Sequence, residues 1–218
     1  MKYILLFDFG HGTREYTKNS KHSPGYTIID GKKVYDLYEG EWTREVGRRI
    51  VDAMTTLGVD CRIIVPEDLD ISLTERCKRA NKIIKDNPDA QCLFISVHIN
   101  AASSDGQWHD ASGWTVWVSK ANASANSKKL ANDLYDVAEA MGLKGNRSVP
   151  KERYWTANFT VLHDTNCPAV LTENLFQDNR KEVTFLNSEE GKEKLVNLHV
   201  AGLCKFMGIP CGIVIDER

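Results

Sequence analysis

The sequence predicts an α/β fold: a mostly parallel central sheet flanked by helices on both faces. Three observations predict it. Tyr3–Phe7 and Cys92–Val97 are near-continuous apolar runs, as expected of strands covered on both faces. Between and after such runs, apolar residues recur at helical spacing, so strands and helices alternate. No repeat, low-complexity tract or linker divides the 218 residues, which suffice for one sizeable core, so the chain 1–218 reads as a single domain.

The elements follow in order. The first strand runs through Ile4, Leu5, Leu6 and Phe7, is interrupted by Asp8, and stops at Gly10-His11-Gly12. Residues 13–31 are rich in Lys, Ser, Thr and Gly around a Ser23-Pro24-Gly25 turn, which predicts a loop ending in a short strand or hairpin near Tyr26–Ile29. From about Glu41, Trp42, Val46, Ile50, Met54 and Leu57 mark a helix that Gly58 closes. Val59–Val65 is the next strand, followed by a helix from Ser72 to Lys85 that Asn87-Pro88 ends. The run Cys92–His98 again finishes in a histidine, with a small polar loop from Asn100 to Gly106. Gly113–Val118 is a fourth strand, here expected to be the antiparallel member, and Ala125–Met141 a helix ending at Gly142. Residues 143–160 read as irregular, Ala169–Thr172 as a strand ending at Glu173-Asn174, and Ser188–Met207 as the last helix.

Composition excludes several classes. A net charge of −2 obliges no face to carry an excess of Lys and Arg, so neither nucleic acid nor a membrane surface is an expected partner. The first apolar run is too short to span a bilayer, and Asp8 breaks it before it resembles a secretory signal. Cys61, Cys77, Cys92, Cys167, Cys204 and Cys211 form no C-x-x-C pair and sit in apolar or helical contexts, so they read as reduced, mostly buried thiols. Two short matches are chance: Asp8-Phe9-Gly10 lacks the other kinase signatures, and Gly10-His11-Gly12 has neither the third glycine nor the lysine of a nucleotide loop.

Ligands of open α/β sheets bind outside the carboxyl ends of the strands, where this sequence delivers His11, His98 and Glu173. Glu39, at the start of the first helix, adds a carboxylate. Two imidazoles and a carboxylate make the donor set of a catalytic zinc site with one open position, and leave a second glutamate as base. Such an ion polarises a carbonyl and makes water more acidic, which suits amide hydrolysis. Taken singly, each histidine is most simply a hydrogen-bonded surface residue, and Glu39, Glu41 or Glu173 a helix-terminal or paired charge. Their convergence on one sheet edge carries the metal reading.

Five stretches carry a further signal: Phe7-Asp8-Phe9-Gly10-His11-Gly12; Glu39 ahead of Thr43 and Arg44; Arg76-x-x-x-Ala80-Asn81; Ser96-Val97-His98-Ile99-Asn100-Ala101; and Pro168-Ala169-Val170-Leu171-Thr172-Glu173-x-x-Phe176. In order and spacing, over nearly the whole chain, they resemble the zinc-dependent N-acetylmuramoyl-L-alanine amidases of the Amidase_3 family. The resemblance implies a single catalytic domain without a separate wall-binding domain. It implies cleavage of the amide between N-acetylmuramic acid and L-alanine in peptidoglycan. By position it makes His11, Glu39 and His98 the Zn2+ ligands and Glu173 the catalytic residue, with Glu41 the competing choice for Glu39.

Phe9 stands where the family commonly has Pro, Thr43 where it often has Asn, and His163 where a basic residue is frequent. Asn100, Ala101, His163, Trp108 and Trp155 are the expected substrate contacts, Arg147 and Asn158 weaker ones, and Trp114 and Trp117 are assigned to the core. The expected partner is peptidoglycan or a muropeptide, met by a monomer that is made without a signal peptide and acts on the cell wall, as a phage lysin or an exported enzyme would. A zinc peptidase or amidohydrolase with another substrate, and a non-catalytic peptidoglycan-binding module, are the alternatives.

Overall fold

The computed structural model describes residues 2–16 and 21–213; residues 17–20 of the expected loop 13–31 lie outside the described residues. Along the chain come β1 (Tyr3–Phe9), a hairpin of β2 (Tyr26–Ile29) and β3 (Lys32–Tyr35), α1 (Glu39–Thr56), β4 (Asp60–Ile63), α2 (Leu73–Asp86), β5 (Gln91–Asn100), β6 (Thr115–Ser119), α3 (Ala125–Ala140), β7 (Trp155–Ala157), α4 (Thr160–His163), β8 (Ala169–Phe176), α5 (Arg180–Asn187) and α6 (Glu189–Met207). The main sheet has the order β4-β1-β5-β8-β6-β7. Its first four strands are parallel, and β6 runs antiparallel to β8, with β7 parallel to β6.

Alternation along the strands separates two layers. Leu5, Phe7 and Phe9 of β1 with Leu93, Ile95 and Val97 of β5 face the larger core under α1, α3, α5 and α6. Ile4, Leu6, Cys92, Phe94, Ala169 and Leu171 face the smaller core under α2 and α4. Because both faces are covered, β1 and β5 need apolar residues at nearly every position, and this is why their runs were legible. Serine caps fix three helix starts: Ser72 accepts from Glu75 N, Ser124 from Ser127 N and Ser188 from Gly191 N. Tyr38, at the start of α1, offers no side-chain cap, and Glu39 and Glu41 occupy the first turn.

Four expectations need adjusting. Residues 143–160 contain β7 and the start of α4, elements too short to show a period. Helix α5 was not expected at all; its eight residues bury only Val183 and Leu186. β5 continues past His98 to Asn100 and β8 past Glu173 to Phe176, so both groups sit within strands rather than at their ends. Trp155 lies in β7 rather than in a loop, tilted against Trp117 and edge-on to Tyr135. Trp114 is fully buried, as expected, and Trp117 partly so.

The six cysteines are free thiols. No described helix is long and apolar enough to cross a membrane. His199, buried on α6, shows what a structural histidine looks like here. Its Nδ1 donates to Leu195 O (2.8 Å) and its Nε2 accepts from Thr172 Oγ1 (3.0 Å), while burial pushes its pKa down to about 4.

Candidate metal centre

His11 follows the end of β1 in a left-handed conformation, φ 56°, which a non-glycine residue adopts only at some cost. Its neighbours hold it there. Gly10 N donates to Val97 O (3.0 Å), Thr43 Oγ1 donates to Gly10 O (3.0 Å), and Arg44 Nη1 donates to His11 O (2.8 Å). Gly10 is required for space: a Cβ there would stand 2.5 Å from the His98 ring, which lies across it.

Glu39 is buried at the first position of α1 and reaches both histidines. Its Oε1 accepts from Ile99 N at 2.9 Å and lies 3.1 Å from His98 Nδ1; its Oε2 lies 3.6 Å from His11 Nε2. The imidazoles meet edge to face, centroids 5.2 Å apart, and one ligand atom from each of the three residues falls within 4.8 Å of the others. Glu41, the competing choice, instead pairs with Arg14 at 3.0 Å on the surface.

Burial works against charge on all three, but unequally. It pushes the Glu39 carboxyl up, yet the two histidines pull it below its ordinary value. It leaves His11 low, whereas the Glu39 hydrogen bond and charge outweigh burial at His98 and raise it. Two imidazole nitrogens and a carboxylate oxygen, closely spaced with both histidines partly exposed to solvent, fit a borderline-soft divalent cation with a free coordination position.

Glu173 pairs in register with His98 on one side and with Thr115 on the other. Its Oε2 is shut off from solvent and has no hydrogen-bond partner among the described residues. Burial pushes its pKa up to about 8, with Glu39 adding to the rise and His98 and Arg147 opposing it. A cation held by the three ligands would draw it back down. Asn174, next along β8, ties the strands together, donating from Nδ2 to His98 O (2.9 Å) and accepting from Trp114 Nε1 (2.9 Å).

The structure therefore brings together His11, Glu39, His98 and Glu173, and treats the other expected residues differently. Asn100 and Ala101 stay beside His98, but the Asn100 side chain accepts from Ala101 N (2.9 Å). The loop beyond leaves β5, has its Ala102 and Ser103 amides tied to Asp178 Oδ2, is exposed over 101–107, and returns to β6 opposite Glu173. Trp108, half-buried in that loop, lies under the Arg180 guanidinium at 4.5 Å. His163 is not part of the cluster. Its carbonyl accepts from Asn122, beyond the end of β6 that runs away from Glu173. Asn158 is exposed between β7 and α4.

Sequence reasoning gave no role to two buried arginines that hold the centre. Arg44 Nη1 donates to Gly40 O as well as to His11 O, and its other nitrogens reach Glu67 O. Arg76 Nη1 donates to Asp8 Oδ1 and to Phe9 O, both at 2.7 Å, and Ser96 Oγ donates to Asp8 Oδ2 at 2.6 Å. Both arginines stand in the stretches that carry the family resemblance, and Asp8 was a further signal, since a carboxylate inside an apolar strand needs a partner. Arg76→Met leaves that carboxylate buried and without its cation, and should lower unfolding free energy by about 3–5 kcal/mol in urea titrations. A loss below about 1 kcal/mol, the value of an exposed pair, would mean that the pair does not brace β1.

Comparisons with known proteins bear on the family and the fold. The chain is 23% identical over 210 residues to an endolysin of Bacillus phage SPP1, covering 96% of this chain and 68% of the relative. It is 24% identical over 200 residues to the probable cell wall amidase LytH of Staphylococcus aureus, spanning 91% of this chain but only 56% of that protein. The solved catalytic domain of CwlV, an N-acetylmuramoyl-L-alanine amidase from Bacillus (Paenibacillus) polymyxa var. colistinus, has the same fold, with a TM-score of 0.68 at 23% identity over 96% of this chain and 100% of that one. The sequence profile of the N-acetylmuramoyl-L-alanine amidases, Amidase_3, matches residues 5–205, and the chain belongs to this family.

Proposed function

We propose that the chain is a single catalytic domain that hydrolyses the amide between N-acetylmuramic acid and L-alanine in peptidoglycan, with Zn2+ as cofactor. The observation that carries the reading is the juxtaposition of the His11, Glu39 and His98 ligand atoms with Glu173, the cross-strand neighbour of His98. Membership of the family and relatives named as an endolysin and a cell wall amidase support the wall as the place of action.

His11, Glu39 and His98 would hold the ion. When bound, it supplies Lewis acidity, which polarises the scissile carbonyl and makes water a better nucleophile near neutral pH. Glu173 takes the proton from the attacking water. Its carboxyl then returns that proton to the L-alanine nitrogen, so that the amine leaves neutral. Asn174 and Gly10 keep the His98 backbone and ring in place throughout, and the buried Glu39 carboxylate stays fixed by Ile99 N.

Digestion of purified wall tests this directly. Free L-alanine amino groups should appear without new reducing sugars, and a zinc chelator should stop their release. Reducing ends in place of amines, or undiminished release under chelation, would overturn the proposal.

A further inference from the structure

The loop between α3 and β7 is built more rigidly than its composition suggests. Trp114 N donates to Leu143 O (2.8 Å), Ser112 N to Asn146 Oδ1 (3.0 Å), Asn146 N to Ser112 Oγ (3.1 Å) and Asn146 Nδ2 to Asp110 O (2.7 Å). Gly113 (φ 110°) and Gly145 (φ 67°) meet back to back. A Cβ on Gly113 would strike the Lys144 carbonyl, and one on Gly145 the Ser112 carbonyl. This clamp fastens residues 143–146 to the entry of β6, whose first residue, Thr115, pairs with Glu173.

The residue so delivered is Arg147. Its guanidinium carbon lies 5.4 Å from the Phe176 ring centroid and 5.8 Å from that of Trp155. Phe176 is three residues beyond Glu173 on the same strand, so the cation stands along β8 from the unpartnered Glu173 oxygen. No described carboxylate lies within 4.0 Å of Arg147, in contrast to Arg44 and Arg76, which are saturated by the fold. The two rings flank the guanidinium, and no side chain among the described residues hydrogen-bonds its N–H groups, which leaves them available for planar, two-point recognition of a carboxylate. Arg147 is half-buried, so a ligand can reach that edge.

Resting on the amidase reading above, we propose that Arg147 is a specificity-determining residue that binds a carboxylate on the peptide side of the scissile amide. The free carboxyl of the residue following L-alanine is the nearest such group in the substrate, and walls in which that carboxyl is amidated would be poorer substrates.

The test compares two muramoyl dipeptides that differ only in whether the second residue's α-carboxyl is free or amidated. For the wild-type protein kcat/KM should favour the free acid by about 10- to 100-fold, the range expected of a hydrogen bond to a charged group, and mainly through KM. Arg147→Gln should abolish the preference, so that the free-acid and amidated compounds are cleaved with the same kcat/KM, and Arg147→Lys should keep part of it. Equal losses on both compounds, or an undiminished preference in Arg147→Gln, would overturn the proposal. Calorimetric binding of the two corresponding alanyl dipeptides to wild type and Arg147→Gln keeps the outcomes separate. If neither muramoyl compound is hydrolysed, the amidase reading fails, while the binding preference and its loss in the variant still decide the role of Arg147.

Discussion

Glu173→Gln should slow release of L-alanine amino groups from peptidoglycan by about 10³-fold while metal content and thermal stability stay at wild-type values. The substitution preserves shape at a position where Oε2 has no hydrogen-bond partner among the described residues, so no structural bond between them is lost. What disappears is the ability to take a proton from water and return it to the departing nitrogen. Single-turnover kinetics with metal analysis on the same samples check both halves. A loss smaller than about 10-fold would assign the proton transfers to another group, because general acid–base catalysis is worth at least that much.

His98→Ala should behave in the opposite way, losing the metal first and activity with it. Removing one of three protein ligands should weaken binding by about 10³-fold, equivalent to roughly 4 kcal/mol. The strand itself should survive, since the bond from Asn174 reaches the His98 carbonyl rather than its ring, and Ile99 N still binds Glu39. Zinc content after dialysis against a mild chelator is the measurement. Stoichiometric metal retained in both His98→Ala and His11→Ala would dissolve the triad.

The four residues at the centre were legible because the strands that carry them advertise themselves. β1 and β5 are buried on both faces, so their apolar runs stand out and their polar endings, His11 and His98, stand out with them. Glu39 was placed by its position at a helix start, and Glu173 by its position at the end of a short apolar run. The rest depended on tertiary contacts that leave no local pattern. Arg44 and Arg76 stand in the stretches that carry the family resemblance, but their bracing role shows only when the fold brings His11 O to Arg44 and Asp8 and Phe9 O to Arg76. Trp155 looks like a loop aromatic because β7 has only three residues, and α5 is too short to show its amphipathic period. Arg147 was read only as a weaker substrate contact, because the glycine contact that fixes it joins residues distant in sequence and is invisible without the fold.

The segment between β5 and β6 has its two anchorages on either side of Glu173, because β6 runs back along β8, and its tip over 103–107 makes few bonds to the body. This makes it a natural graft point. Extra residues inserted at Asp105-Gly106 would lengthen the connection between the two strands that flank β8 without moving a ligand or a strand, since the Asp178 tether holds the base of the loop at Ala102 and Ser103. Engineered variants with different wall preferences can therefore be sought by changing one connection while the hydrolytic centre is inherited intact.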